Sequence, residues 1–130
     1  MMERHPKEIL LAELYNRFAQ GDMSGVIAMC DESMVYTVPG SVPTSGIYDN
    51  NTFIYLVKKT MEIAKGTFRE TVVDIIANDY HGVVLLNHSL ERNGKLIEYR
   101  TTHRYKIRDG KFISWEEYPG SESEFNEAWS

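Results

Sequence analysis

Thiols are nearly missing from this sequence. Cys30 is the only cysteine in 130 residues, which excludes a disulfide framework or a cysteine-built zinc site within one chain. An excess of positive charge is missing as well. Fourteen Lys and Arg stand against nineteen Asp and Glu, giving a formal charge of -5 and a pI near 5.3. A nucleic-acid backbone or an anionic membrane surface is repelled at long range by such a chain, so neither is expected as a partner. No apolar run approaches the length of a membrane span. The opening MMERHPKEILLAEL lacks the uninterrupted apolar region and small-residue cleavage site of a secretory leader. Repeats, linkers and low-complexity segments are also lacking. What is present, 42% hydrophobic and 25% charged residues, predicts one ordinary globular domain over residues 1–130, in the cytoplasm.

Helical periodicity comes first along the chain. Between Pro6 and Gln20, Ile9, Leu10, Leu14, Tyr15 and Phe18 recur at helical spacing, with Pro6 suited to the first turn. Gly21 ends this helix and Asp22 can cap a second short one carrying Val26, Ile27, Met29 and Cys30. Met34 to Val38 reads as a strand. Pro39, Gly40, Pro43 and Gly46 make a rigid loop after it. Asn50 to Ala64 is a third helix, with Phe53, Leu56, Val57 and Met61 toward the core and Gly66 after its end.

From Thr67 onward the pattern turns to β, with runs at Thr67 to Ala77, Val83 to Arg92, Leu96 to Arg108 and Lys111 to Tyr118. Asn93-Gly94 and Asp109-Gly110 are dipeptides favoured at two-residue type I′ turns, where both positions need positive φ. Helices followed by a meander of strands argue an α+β fold. Phe125 and Trp129, four apart, predict a last helical turn lying across a pocket mouth.

The two tight turns set the faces of the sheet. With Asn93-Gly94 as a two-residue turn, Leu90 falls opposite Ile97, His88 opposite Tyr99 and Val84 opposite His103. The core face then carries Val84, Leu86, His88, Leu90, Ile97, Tyr99, Thr101, His103, Tyr105 and Ile107. The same count around Asp109-Gly110 places His103 opposite Glu116 and Thr101 opposite Tyr118, with Trp115 on the outer face. One extra residue near Tyr105 would reverse the faces beyond it. An inward-facing His and Glu admit two readings. The pair satisfies a buried charge structurally, or it moves a proton near neutral pH because apolar walls and the neighbouring imidazole push the carboxyl in opposite directions. His103 and Glu116 are therefore the expected catalytic pair. Tyr36, His88, Tyr99, Thr101, Tyr118 and Trp129 are the expected ligand contacts. His88, His103 and Glu116 are metal-ligand types, but no H-x-x-x-H spacing joins them, so neither metal nor cofactor is expected.

Phe18-Ala19-Gln20-Gly21-Asp22, Val35-Tyr36-Thr37-Val38-Pro39-Gly40 with Ser45-Gly46, and His103 through Phe112 followed by Glu117-Tyr118-Pro119 resemble the SnoaL-like polyketide cyclase family. That family lies within the nuclear transport factor two-like and ketosteroid isomerase-like superfamily, and the resemblance spans nearly the whole chain. It implies a cone-shaped, strongly curved antiparallel sheet closed by N-terminal helices, a cystatin-like α+β barrel, often dimeric through the sheet. Members include cyclases, isomerases, dehydratases and ligand binders, so the fold leaves the reaction open. Ketosteroid isomerase places an Asp base after the helical hairpin and uses a Tyr and a protonated Asp as oxyanion donors. The resemblance puts the base at Thr37, the helical Tyr at Leu14 with Tyr15 one residue away, and the protonated acid near Thr102, so that set is absent. Many relatives carry Trp where this chain has Glu116, which marks either a private chemistry or a shifted register.

The expected function is binding of a small apolar carbonyl or polyketide-like molecule, with cofactor-independent acid/base chemistry of an isomerase, cyclase or dehydratase kind. A non-catalytic binding module and a dimerisation domain remain the alternatives. Val83, Leu85, Ile113 and Trp115, read as outward, predict a homodimer through the outer face of the sheet.

Overall fold

The computed structural model describes residues 4–130. The leader reading of the N-terminal stretch falls in part on residues 1–3, outside the described range. Two helices lead the chain, α1 (Pro6–Ala19) and α2 (Met23–Ala28). Pro6 opens α1 and the His5 imidazole accepts from the Lys7 N–H, while the Asp22 carboxylate caps α2 by accepting from the Gly25 N–H at 2.9 Å. Strand β1 (Cys30–Val38) follows and pairs with a three-residue strand, β2 (Gly46–Tyr48). The sequence reading had this segment as loop only. Helix α3 (Phe53–Ala64) starts three residues later than expected because Asp49 turns the chain first, its side chain accepting from the N–H groups of Asn51 and Thr52. Strands β3 (Arg69–Ala77), β4 (His81–Arg92), β5 (Lys95–Arg108) and β6 (Lys111–Pro119) lead to α4 (Glu122–Trp129). No helix among the described residues is long and apolar enough to cross a membrane.

The strands form one curved sheet in the order β2-β1-β6-β5-β4-β3. The α+β class and the curvature agree with expectation. The sheet is mixed, however, because β1 runs parallel to β6, and it stays open, with β2 and β3 as its two edges. Helices cover the inner face, where Leu11, Met34, Val84, Leu86, Leu90 and Phe112 are the most deeply buried apolar side chains.

Both predicted turns have positive φ at both positions, 53° and 77° at Asn93-Gly94 and 51° and 74° at Asp109-Gly110. The first hairpin keeps its predicted register throughout, with Leu90 opposite Ile97, His88 opposite Tyr99 and Val84 opposite His103. The second keeps it only for Arg108 opposite Lys111 and Ile107 opposite Phe112. Ile113 then has no partner, and the next pairs are Lys106 with Ser114 and Tyr105 with Trp115. This bulge moves every later residue of β6 to the opposite face. Trp115 and Glu117 turn inward, and Glu116 and Tyr118 turn outward.

Gly82 on β4 faces Leu11 of α1, and a Cβ there would run into Leu11 Cδ1. Leu11 is fully buried and has nowhere to swing. Gly82→Ala should therefore destabilise the fold by about 1 to 3 kcal/mol, the usual cost of overpacking. The shift of the urea midpoint at unchanged m-value measures it.

Candidate functional site

The first hairpin fixes the floor of a cavity of about 130 Å³ between the sheet and its helices. Helix α1 contributes Leu14, Tyr15 and Phe18, α3 contributes Phe53, Leu56 and Val57, and α4 closes one side with Phe125 and Trp129. From the sheet come Tyr36, Glu70, His88, Tyr99, His103, Tyr105, Trp115 and Glu117. Two carboxylates and two imidazoles thus face an otherwise aromatic and aliphatic interior, and no Lys or Arg lines it among the described residues.

Hydrogen bonds run through these groups in sequence. Trp129 Nε1 donates to the Tyr99 hydroxyl at 2.7 Å, and indole can only donate. The Tyr99 hydroxyl meets His88 Nδ1 at 2.9 Å, and His88 Nε2 lies 2.8 Å from Glu70 Oε2. A parallel set joins the Tyr105 hydroxyl to Tyr15 at 2.7 Å and Tyr15 to His103 Nδ1 at 2.6 Å. Burial, above all, pushes the Tyr15, Tyr99 and Tyr105 hydroxyls well above the usual phenol range. They remain O–H donors.

One polar atom stands out. His103 Nε2 is buried and has no hydrogen-bond partner, and the nearest carboxylate oxygen, Glu117 Oε2, is 3.8 Å away. That gap is too long for a hydrogen bond. Glu117 Oε2 lies 3.7 Å from His88 Nδ1 and accepts from the Thr101 hydroxyl at 2.9 Å. Burial pushes the Glu117 carboxyl up, but His103, His88 and the Thr101 hydroxyl together outweigh it. The balance holds the group below the usual carboxylate range, so at neutral pH it is an ionised acceptor facing the unpartnered His103 Nε2.

Of the residues expected here, Tyr36, His88, Tyr99, His103 and Trp129 border the cavity. The Tyr36 hydroxyl donates to Asn50 Oδ1. Thr101 is buried behind the wall and serves Glu117. Three expectations need correction, all for the reason that Ile113 is bulged. Glu116 pairs with Arg104 on the outer face, 2.7 Å from its Nη2, and accepts from Tyr118 at 2.7 Å. Tyr118 is 45% exposed and lies under the Arg104 guanidinium. Trp115, expected outside, packs edge-on to His103 with ring centroids 4.8 Å apart. The sequence reading missed Glu117, Glu70 and the role of Tyr15. A tyrosine in the apolar stripe of α1 was the one available signal, since a buried phenol needs a partner.

Glu70, His88 and His103 also offer ligand atoms within 4.8 Å of one another. Around a first-row divalent ion such atoms sit about 3.4 Å apart. An ion would therefore require the three to close in and His88 to release Glu70.

Comparison with known proteins places this geometry. The model of the SnoaL-like domain matches residues 11–115. None of the curated proteins matches the chain. Among solved structures, a protein of unknown function with a cystatin-like fold from Xanthomonas campestris superposes with a TM-score of 0.82 at 21% identity, over 95% of this chain and 98% of the other. A nuclear transport factor two-like protein from Burkholderia thailandensis gives 0.77 at 18%, over 91% and 92%. TerC, co-crystallised with polyporic acid, gives 0.79 at 18%, over 94% and 95%. At these identities the likeness shows a shared fold.

Glu116→Gln and Glu117→Gln separate the two acids. The first removes a surface ion pair and should change stability by less than about 1 kcal/mol. The second removes a carboxylate whose folded pKa is depressed, so its ionisation stabilises the native state above the unfolded value of about 4.3 and is lost as pH falls through the folded one. Wild type should lose stability relative to Glu117→Gln on acidification, as read from urea unfolding at a series of pH values. The reverse trend would contradict the placement of Glu117.

Proposed function

This chain belongs to the SnoaL-like domain family, and from that premise we propose that its cavity encloses one small, mainly apolar molecule through a carbonyl or enol oxygen and moves a proton on it. The unpartnered His103 Nε2 facing Glu117 across 3.8 Å carries this reading. A carbonyl oxygen accepting from His103 leaves the adjacent C–H beside the Glu117 carboxylate. Glu117 takes that proton, the electron pair becomes an enolate on the oxygen, and His103 stabilises the charge. Return of the proton to the same or another carbon restores the ketone, which is the elementary step of an isomerase and the first step of an aldol-type cyclase.

Size narrows the ligand. An apolar protein cavity of about 150 Å³ accepts benzene, so about 130 Å³ suits a single ring or short chain in this conformation. TerC, the fold relative co-crystallised with polyporic acid, supports occupancy of such a pocket by an organic ligand. The single cysteine among 130 residues supports a cytoplasmic setting. On the outer face of β3 and β4, Ile76 is exposed and pairs with the half-buried Val83, with Leu85 beside it. This stripe, now without Trp115, supports a homodimer through the sheet. Light scattering at high micromolar protein should give twice the 15.0 kDa chain mass, and a monomer mass would remove the dimer from the proposal.

Cyclohexanone in D₂O tests the chemistry. Saturable binding by NMR is expected, with faster exchange of the α-protons for deuterium than in buffer. Glu117→Gln should keep binding within severalfold and lower the exchange rate by about 10² to 10⁴, the usual worth of a positioned general base. Binding without exchange in wild type would reduce the protein to a binding module, and no binding would overturn the reading.

A further inference from the structure

Both imidazoles in the cavity meet a tyrosine hydroxyl at Nδ1 and turn Nε2 the other way, although they sit on different strands and their phenols come from different elements. Tyr15 of α1 reaches His103 at 2.6 Å, and Tyr99 of β5 reaches His88 at 2.9 Å. Each phenol has a second partner behind it, Tyr99 accepting from Trp129 and Tyr15 sharing a hydrogen bond with the Tyr105 hydroxyl.

At Tyr99 the oxygen accepts from Trp129, and among the described residues His88 Nδ1 is the one acceptor within reach of the Tyr99 proton, which would otherwise be stranded in a buried place. At Tyr15 the direction follows from counting protons. If His103 Nδ1 carried the proton, Tyr15 would donate to Tyr105, and the Tyr105 O–H would be left without an acceptor in a fully buried place. The reverse direction, Tyr105 to Tyr15 to Nδ1, leaves no phenol proton stranded. Its single open donor is His103 Nε2–H, a buried atom without a partner on a ring that lines the cavity.

We propose that Tyr15 and Tyr99 are positioning residues: each donates its hydroxyl to an imidazole Nδ1 and holds that ring as the Nε2–H tautomer. His88 thereby anchors Glu70, and His103 presents a donor, not a base, to whatever oxygen enters. The site then selects ligands by an acceptor oxygen such as a ketone. This specificity rests on the reading that His103 contacts the ligand, whereas the tautomers themselves belong to the ligand-free protein.

Long-range ¹H–¹⁵N correlation NMR of ¹⁵N-His protein, without ligand at neutral pH, reads the tautomers directly. Wild type should show pyridine-like Nδ1 and pyrrole-like Nε2 in both His88 and His103. Tyr15→Phe should shift His103 toward a tautomer mixture and leave His88 unchanged, and Tyr99→Phe should do the converse. Tyr105→Phe should keep the His103 pattern, because Tyr15 can still donate. A pyrrole-like Nδ1 in wild type, or an unchanged His103 pattern in folded Tyr15→Phe, would overturn the proposal. If a variant fails to fold, the wild-type spectrum decides. Failure of cyclohexanone to bind would overturn the functional reading while leaving the tautomer result standing.

Discussion

An ionised carboxylate held in an aromatic interior sets the terms for everything around it. Glu117 is buried in a wall that offers no Lys or Arg among its lining residues, and moving such a group out of water costs several kcal/mol unless polar partners replace the solvent. The replacement is spread over three strands. Thr101 on β5 donates directly, His103 on β5 turns Nε2 toward the carboxylate at 3.8 Å, and His88 on β4 beside it ties Glu70 on β3. Each imidazole then needs its own second nitrogen satisfied, which brings in Tyr15 and Tyr99. A single acid thus recruits polar side chains across an interior that is otherwise carbon.

The same chain of demands explains how the helices are fastened. Helix α1 packs with Leu11 and Leu14, but Tyr15 adds a directional bond into the sheet. Helix α4 packs with Phe125, Ala128 and Trp129, and the indole N–H adds the corresponding bond on its side. Arg92 reinforces it by donating to the Ala128 and Ser130 carbonyls. Hydrophobic burial places these helices without fixing their rotation or slide. The polar contacts inside the cavity supply that precision, and they link the roof of the pocket to the protonation pattern of its floor.

Legibility from sequence followed the locality of the signal. The helices were readable because apolar spacing and capping are written within a few residues, and the β4–β5 hairpin because Asn93-Gly94 fixes its register and nothing interrupts it afterward. The β5–β6 hairpin was readable for two pairs and then wrong, since a bulge at Ile113 has no composition of its own. The departure already visible was that relatives carry Trp where this chain has Glu116. Counted one residue later, Trp115 takes the inward place and Glu117 becomes the acid opposite His103. Glu70 was beyond reach, because the alignment of β3 with β4 itself contains a shift between Val72 and Asp74. Tyr15 was read as one apolar position among several, and only the three-dimensional contact with His103 reveals its hydroxyl as the part that matters.

The bulge at Ile113 has a consequence for how this chain can diverge. Loss of Ile113 would close the bulge and leave Trp115 opposite Tyr105 and Glu117 opposite His103, whereas loss of one residue between Ser114 and Glu117 would carry Glu117 off the inner face. The segment between Val38 and Phe53 stands under no such parity rule, since its short β2 strand pairs at the edge of the sheet. Descendants of this sequence should therefore vary in the size of that edge segment and change length in β6 only at the bulge, so that insertions accumulate at the edge of the sheet and substitutions at its wall.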